Sequence, residues 1–274
     1  MTAVVPTKMV IGHNNVVSAA NISTVAYTNA TEVAGFSKDN LQYSDPGRLA
    51  KFTRDANPIT ITITFESGVA ASQKCFGLIR HNLFSAFNYG APVPTVEFKN
   101  GSTSMGTFNA GSDADTLMIV DGAGLTTATL NIVITKTTTP GTINIGSIFV
   151  GSYTELTTNP TDGLLEITRE DSIVVQNSSG GTRRLLSLGD RDRYGLSFET
   201  RRAQEADVLL FNNTLQRADE RHKMVGVIPP WETQAVGVTD MPHFFGYVEK
   251  VRVKPRFSAA TDLRFDLAVD FIGA

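Results

Sequence analysis

The stretch Ile59–Leu83, ITITITFESGVAASQKCFGLIRHNL, decides the fold class of this chain. Its isoleucines at 59, 61 and 63 and Phe65 alternate with threonines, which gives an extended strand one apolar side and one hydroxylated side. Phe76–Ile79 adds a second apolar run shortly afterwards. Because no helical period interrupts these segments, the stretch predicts two strands of an antiparallel sheet.

Further short strands are predicted along the rest of the first half. Val96–Phe98 is followed by Asn100-Gly101, a dipeptide typical of tight hairpin turns. Leu130–Ile134 and Ile143–Val150 repeat the apolar pattern. Several short strands separated by turns indicate an antiparallel β-sandwich or jelly roll, which we assign to residues 1–157.

The second half, residues 158–274, has a different composition. It begins near Asn159-Pro160, where turn residues separate two apolar segments, and it carries most of the charged residues. Residues 204–223, QEADVLLFNNTLQRADERHK, have apolar residues at helical spacing and predict the main helix. Strands are predicted at Phe245–Val253 and Leu263–Phe271, the latter with alternate residues from Leu263 to Phe271 facing inward. The expected fold is mainly β, with a β-rich second domain that contains one main helix.

The composition limits the classes of partner and compartment. The net charge is −3, so no overall basic field favours nucleic acid, and we expect no nucleic-acid partner. No segment has the roughly 20 apolar residues of a membrane helix, so we expect no membrane insertion. The start of the sequence does not resemble a signal peptide, and the single cysteine excludes an internal disulfide framework. These features predict folding in a cytoplasm.

Few residues form patterns that indicate chemistry. Cys75, Arg80 and His81 are close in sequence, but an extended strand holds Cys75 and His81 roughly 20 Å apart, at about 3.3 Å per residue. A buried cysteine is therefore favoured over a nucleophile. The four histidines lack metal-site spacing. We expect no catalytic residue, no metal ligand and no cofactor.

Acidic residues leave two alternatives open. Asp113, Asp115 and the turn Asp121–Gly124 offer oxygen ligands that a calcium ion could use, although two acidic surface turns have the same pattern. A glycoside hydrolase would need two carboxylates in one cleft, and in the first half only Glu66, Glu97 and the Asp113/Asp115 pair are candidates. An enzyme is the least favoured of the functional classes.

A dense group of charges in the second half predicts a subunit interface. Arginine is enriched at interfaces, where its forked guanidinium pairs with carboxylates, and tryptophan often anchors them. A solvated charged face is the alternative for the arginines and aspartates, and packing within its own domain is the alternative for the tryptophan. The candidate interface residues are Arg183, Arg184, Asp190, Arg191, Asp192, Arg193, Arg201, Arg202 and Trp231.

The first half also resembles a known family. Asn40-Leu41, Pro58–Phe65, Cys75–Leu83 and Ile145–Gly151 resemble segments of the galactose-binding-like (discoidin-type) modules found in virion proteins of tailed bacteriophages. The similarity extends over roughly residues 15–155. The layout of the second half is similar to that of phage tail-tip and distal-tail proteins. The resemblance implies a virion part that assembles as a ring or collar, with the jelly roll on the outside.

Two functional hypotheses follow. The first is a non-enzymatic structural component of a phage virion (tail tip, distal tail or neck), which forms a homo-oligomeric ring, contacts other virion proteins and assembles in the cytoplasm of the bacterial host. The second is a carbohydrate-binding adhesin module that recognises a glycan on the host surface. That hypothesis predicts exposed aromatic residues on the sandwich loops, whereas core packing is the alternative for each of them. The candidates are Tyr27, Phe36, Tyr43, Phe84, Phe87 and Tyr89.

Overall fold

The fold consists almost entirely of antiparallel strands. The computed structural model describes residues 8–45, 47–69, 73–86, 94–109, 116–135, 141–160, 162–177, 183–215, 223–228, 244–257 and 263–273. The strands of the first half are β1 Val10–His13, β2 Ile22–Thr28, β3 Ala30–Glu32, β4 Ala50–Arg54, β5 Ile59–Phe65, β6 Cys75–Ile79, β7 Thr95–Asn100, β8 Thr103–Asn109, β9 Thr116–Val120, β10 Thr129–Thr135, β11 Ile143–Ile145 and β12 Ser147–Glu155. Those of the second half are β13 Asp162–Asn177, β14 Arg183–Ala203, β15 Val225–Ile228, β16 Phe244–Phe257 and β17 Leu263–Gly273.

Helical structure is short in the described residues. A 3-10 helix covers Lys38–Gln42, and helix α1 covers Leu83–Ala86. Helix α2 spans Glu205–Leu209 and continues as a π-helical turn over Leu210–Leu215. The helix predicted at 204–223 is thus present from Glu205 to Leu215, with Gln204 as its N-cap. Residues 216–222 lie outside the described residues, and Lys223 lies in a bend. None of the described helices is long and apolar enough to cross a membrane.

The strands form three sheets that make a sandwich. The largest has nine strands in the order β13-β14-β17-β16-β15-β1-β12-β6-β9. A five-stranded sheet has the order β2-β5-β10-β7-β8, and a three-stranded sheet the order β11-β4-β3. The main core cluster lies between them, because side chains from β5, β7 and β10 pack with those of β6, β9 and β12. The predicted mainly-β class and the sandwich are confirmed.

Strand β5 has the buried side that its alternation of apolar residues and threonines predicts. In β5 the residues Ile59, Ile61, Ile63 and Phe65 are buried, and the threonines between them are half-buried on the other side. One of these, Thr62, donates its hydroxyl to the Asn131 Oδ1 across the strand pair at 2.8 Å. The pattern buries one side of the strand and leaves the other side to pair polar groups, as expected in a sandwich sheet that has only one side on the core.

Strand β6 is buried on both sides, which explains its unbroken apolar run. Phe76 and Leu78 belong to the main core, whereas Cys75 and Ile79 belong to a second core on the opposite side of the sheet. This second core contains residues of both halves of the chain: Val10, Cys75, Ile79, Met118, Val120, Phe149, Met224, Ile228 and Phe245. We call this group the shared core.

The predicted domain boundary falls in the connection between β12 and β13, while the nine-stranded sheet continues across it. Strand β1 joins the halves, because Val10 pairs with Glu155 of β12 on one side and with Ile228 of β15 on the other. That residues 1–157 and 158–274 are two independent domains stays a prediction. In the fold itself, the two halves share a sheet and a core.

A buried carboxylate fixes the connection between the halves to helix α2. Asp207 is 3% exposed. Its Oδ1 accepts the Thr157 backbone N–H at 2.7 Å, and its Oδ2 accepts the Thr157 hydroxyl at 2.6 Å and the Thr158 N–H at 3.3 Å. Hydrogen bonds to a charged group are roughly twice as strong as neutral ones, so this contact is a strong tether.

We expect Asp207→Asn to lower the free energy of unfolding by about 1.5–3 kcal/mol, because an amide loses the charge and one accepting oxygen. Urea unfolding followed by circular dichroism measures the change. Glu205→Gln is the matched control, since Glu205 is an exposed acid in the same helix and its substitution is expected to cost less than about 0.5 kcal/mol. Equal effects of the two substitutions would show that the tether does not stabilise the fold.

Candidate functional site: a polar cleft and a long β-ribbon

A cleft of about 440 Å³ lies where three segments of the chain meet. One wall is the loop that follows β1, the second is the segment after the 3-10 helix, and the third is the chain just before β15. The lining residues are Asn14, Asn15, Val16, Val17, Ser18, Asn21, Ser44, Lys223 and Met224. We call it the Asn cleft. Its lining combines amide and hydroxyl groups with a small apolar floor.

The loop after β1 is held in place by its own hydrogen bonds. Asn14 has a φ of +54°, a left-handed conformation that asparagine tolerates better than most residues. The Asn21 Nδ2 donates to the Val16 carbonyl at 2.8 Å, and the Val16 N–H donates to the Val150 carbonyl at 2.8 Å. The loop is therefore attached to β12 and is largely preformed as a binding surface.

Asn15, a residue of the cleft lining, has a buried donor that the described part of the chain does not satisfy. Its Oδ1 accepts backbone N–H bonds from Val17 and Val150, each at 3.2 Å. Because both partners are donors, this atom must be the amide oxygen, which fixes the orientation of the side chain. The Nδ2 is buried and has no hydrogen-bond partner among the described residues. Buried donors in proteins nearly always have an acceptor, so this atom suits an acceptor on a ligand or a water molecule.

An exposed aromatic ring lies next to the cleft in the chain. Tyr43 precedes the lining residue Ser44, and its side chain is 38% exposed. The Arg48 guanidinium carbon lies 4.5 Å from the ring centroid, and Arg48 Nε is 3.7 Å from Asp45 Oδ2. The Ser147 hydroxyl donates to the Tyr43 carbonyl at 3.0 Å, which fixes the backbone beneath the ring.

The segment that carries Tyr43 also approaches the second half. Burial raises the pKa of Tyr247 in β16, and the nearby Asp45 carboxylate adds to the increase. Lys223 and Met224 of the cleft lie just before β15, which pairs with β16. Both halves of the chain therefore contribute to the cleft and its rim.

The other predicted aromatic candidates have different surroundings. Tyr27 packs against Phe52 with 4.8 Å between ring centroids and is a core neighbour, and burial together with Glu32 and Asp39 raises its pKa. Phe36 is half-buried beneath the Lys51 ammonium, 3.7 Å from the ring centroid. Phe84 lies in α1, while Phe87 and Tyr89 lie outside the described residues. Tyr43 is thus the candidate with the most exposed described side chain.

The described candidates for catalysis or metal binding are not among the residues that line the Asn cleft. Cys75 is fully buried in the shared core, and burial raises the pKa of its thiol well above the usual value. Glu97 forms an ion pair with Lys99 at 3.1 Å. Burial raises the pKa of Glu97, but hydrogen bonds from Ser104 and Lys99 and the Lys99 charge lower it on balance. Both shifts are the opposite of what a nucleophilic thiolate or a carboxylic general acid requires.

Asp121, one of the possible calcium ligands, closes a turn. It is 5% exposed, and its Oδ2 accepts the Gly124 N–H at 2.9 Å. Gly124 has a φ of +76°, which suits glycine. Asp113 and Asp115 lie outside the described residues, and among those that the structure describes no three acidic, histidine or cysteine side chains converge on a metal position.

The predicted interface residues lie mainly on a second feature, a long two-stranded ribbon. Strand β14 pairs with β17 from Gly195 onward, and among the strands that the structure describes Arg183–Tyr194 pairs with β13 alone. At about 3.3 Å per residue this part, which we call the β-ribbon, is roughly 35 Å long. It contains six of the predicted interface residues: Arg183, Arg184, Asp190, Arg191, Asp192 and Arg193.

The remaining interface candidates lie elsewhere. Arg201 and Arg202 form a β-bulge, because these two residues between Thr200 and Ala203 are opposed by one residue, Asp266, between Leu267 and Phe265. Trp231 lies outside the described residues. The sequence missed the Asn cleft because its residues come from three distant segments. The only local signal is the pair Asn14-Asn15 at the end of an apolar run, which is typical of a turn.

Comparison with known proteins identifies similar domains but no family. No protein-family model and no curated protein matches the chain. A chitosan-binding module of a chitosanase/glucanase from Paenibacillus sp. IK-5 is 15% identical, with a TM-score of 0.36, and the match covers 51% of this chain and 99% of that module. The C-terminal domain of a chitobiase from Bacteroides fragilis is 16% identical, also with a TM-score of 0.36, and the match covers 52% of this chain and 100% of that domain. Likenesses at this level assign no ligand to this chain.

Proposed function

We propose that this protein is a non-enzymatic carbohydrate-binding protein that holds a glycan in the Asn cleft. The observation that carries the proposal is the buried Nδ2 of Asn15, which has no hydrogen-bond partner among the described residues, in the lining of a cleft with amide and hydroxyl groups. Amides and hydroxyls both donate and accept hydrogen bonds, as do sugar hydroxyls, so the two sets of groups are complementary. A volume of about 440 Å³ lies within the usual range for small-ligand sites.

Two neighbouring groups support the same class of ligand. The Tyr43 ring beside the cleft offers a flat apolar surface of the kind on which the C–H faces of sugar rings stack. Val17 and Met224 are buried at the cleft and provide apolar contact below the polar groups. A glycan is both polar at its hydroxyls and apolar on its ring faces, and this lining matches both properties.

The test combines a glycan panel with substitutions that preserve the loop. Asn15→Asp keeps the oxygen that accepts the Val17 and Val150 N–H bonds but removes the Nδ2 donor. We expect the whole wild-type chain to bind at least one member of a broad panel, and Asn15→Asp to weaken that binding about tenfold, the effect of one lost buried hydrogen bond. Isothermal titration with the best glycan measures the change.

Matched glycine substitutions separate the cleft from the rest of the surface. Asn14→Gly and Asn29→Gly both replace an asparagine of positive φ, +54° and +62°, so neither strains the backbone. Asn14→Gly should weaken glycan binding, whereas Asn29→Gly, on another loop, should bind like the wild type. A panel with no bound glycan, or equal binding by Asn15→Asp and the wild type, would contradict the proposal.

A structural role is the second candidate function, and the β-ribbon favours it. A two-stranded ribbon is marginally stable alone in water and leaves unpaired backbone groups along its edges, so a partner that covers it is favourable. The ribbon carries the charged residues that the sequence suggests as an interface. The sequence resemblance predicts that this role is played in a virion, in a ring of copies that contacts other phage proteins. These three points stay predictions.

A further inference from the structure

We infer that the Asn cleft selects a glycan that carries an anionic group, such as the carboxylate of a uronic acid, over the neutral form of the same sugar. This inference rests on the proposed function and adds the charge of the ligand to it. Two residues of the lining, Lys223 and Asn15, carry the argument, because both have hydrogen-bond donors and one of them is a cation.

The described lining of the cleft contains one cation and no acidic residue. Lys223 stands among asparagines, serines and apolar residues, and it is exposed rather than buried in a core. The residue after it, Met224, is 1% exposed and also lines the cleft. Strand β15 follows directly, so the backbone that carries Lys223 is fixed beside the cleft. A neutral sugar has no charge that pairs with this ammonium, whereas an anionic substituent has one.

The two donors match an acceptor that has no hydrogen of its own. The Asn15 Nδ2 is buried without a hydrogen-bond partner among the described residues, and an amide nitrogen only donates. The Lys223 ammonium also only donates; it already has an interaction within the protein, but it carries three N–H groups. Ionised carboxylate, phosphate and sulfate oxygens only accept. Hydrogen bonds to charged acceptors are roughly twice as strong as those between neutral groups, so an anionic group gains more here than a sugar hydroxyl.

The charges beside the cleft do not cancel this preference. Asp45 follows the lining residue Ser44, and its Oδ2 lies 3.7 Å from Arg48 Nε. Because 55% of the Arg48 side chain and 61% of the Asp45 side chain are exposed, water screens the remaining field of this pair. The whole protein has a net charge of −3, so it has no general attraction for anions. A preference for an anionic glycan would therefore originate at the cleft.

The rest of the lining distinguishes a glycan from a free anion. The amide of Asn14 and the hydroxyls of Ser18 and Ser44 can both donate to and accept from sugar hydroxyls. Val17 and Met224 add a small apolar surface, which suits the C–H groups of a sugar ring. A small inorganic anion uses neither set of groups, so the sugar should add to the affinity of its anionic substituent.

Matched pairs of ligands test the charge preference on the whole chain. Each pair has one sugar skeleton with and without an anionic group: trigalacturonate and its methyl ester, sialyllactose and lactose, and mannose 6-phosphate and mannose. The first two pairs probe a carboxylate and the third probes a phosphate. Isothermal titration at one fixed ionic strength should show the anionic member of at least one pair bound about tenfold more tightly, as one charge-assisted hydrogen bond predicts.

Substitutions in the lining identify the source of the preference. Lys223→Gln removes the charge but keeps a polar side chain, so the two members of that pair should then bind within about twofold of each other. Asn15→Asp adds a carboxylate to the lining and should weaken binding of the anionic member more than that of the neutral one. Lys254→Gln is the matched control, because Lys254 is an exposed lysine of β16 outside the described lining, and it should leave the preference unchanged.

Three results would overturn the inference. They are equal binding of the charged and neutral members, a preference that Lys223→Gln retains, and inorganic phosphate bound as tightly as the anionic glycan. The first of these leaves the proposed function intact, because a glycan still binds and Asn15→Asp still weakens it. A protein that binds no member of any pair and no glycan of the broad panel would instead refute the proposed function, and this inference with it.

Discussion

Gly151→Ala is expected to destabilise the protein by about 3 kcal/mol or more, because the position has no room for a Cβ. A Cβ on Gly151 in β12 would overlap the backbone carbonyl oxygen of His13, and it would lie 3.0 Å from the Phe149 ring. A backbone atom cannot rotate away as a side chain can. Strand β1, which also pairs with β15 of the second half, would have to separate from β12.

Chemical unfolding followed by circular dichroism measures this change. Gly141→Ala is the control, because the nearest atom to a Cβ there is the Ala86 carbonyl oxygen at 3.8 Å, an ordinary contact. That substitution should leave the free energy of unfolding within about 0.5 kcal/mol of the wild type. A Gly151→Ala protein as stable as the control would mean that β1 and β12 can separate at little cost.

Phe149→Ala is the second substitution with a large expected effect, at about 3–5 kcal/mol. Phe149 is fully buried in the shared core and contacts Phe245 of the second half, with 5.6 Å between ring centroids. Removing the ring leaves a cavity bordered by both halves. We therefore expect the loss of stability to reach strands on both sides of the predicted boundary.

Hydrogen exchange measured by mass spectrometry distinguishes two halves that lose stability together from two halves that unfold independently. Peptides from β5 in the first half and β17 in the second should lose protection together in the Phe149→Ala protein. Phe36→Ala, at a half-buried surface ring, should leave both peptides protected. Loss of protection confined to the β5 peptides would instead support two units that unfold independently.

Much of the sandwich could be predicted because alternation directly reflects burial on one side. The pattern of β5 predicted its buried side, and the Asn100-Gly101 turn was correctly placed between β7 and β8. In β17 the predicted inward residues Leu267, Val269 and Phe271 are buried. In each case the local sequence determines the result, because neighbouring residues alone define the two sides of a strand.

Other features could not be predicted because they depend on distant partners. The apolar run Val10–Ile11 is too short to predict a central strand, yet β1 lies between β15 and β12 and is buried throughout. The continuous strand Arg183–Ala203 was not predicted, because the charged stretch Asp190–Arg193 has no alternation of apolar and polar residues. Its continuity comes from the backbone pairing with β13. The Asn cleft forms where three segments that are distant in sequence come together, and a pattern within one sequence does not predict such long-range contacts.

The position of β1 also has a consequence for how the chain reaches its native state during synthesis. Val10 pairs with Ile228, about 220 residues later in the chain, so the edge of β1 that faces β15 stays without its partner until β15 has left the ribosome. Pairings between such distant segments form slowly because a long loop must close first. Strand β1 is therefore enclosed only after β15 has been made, and the nascent chain must keep that apolar edge from aggregating until then.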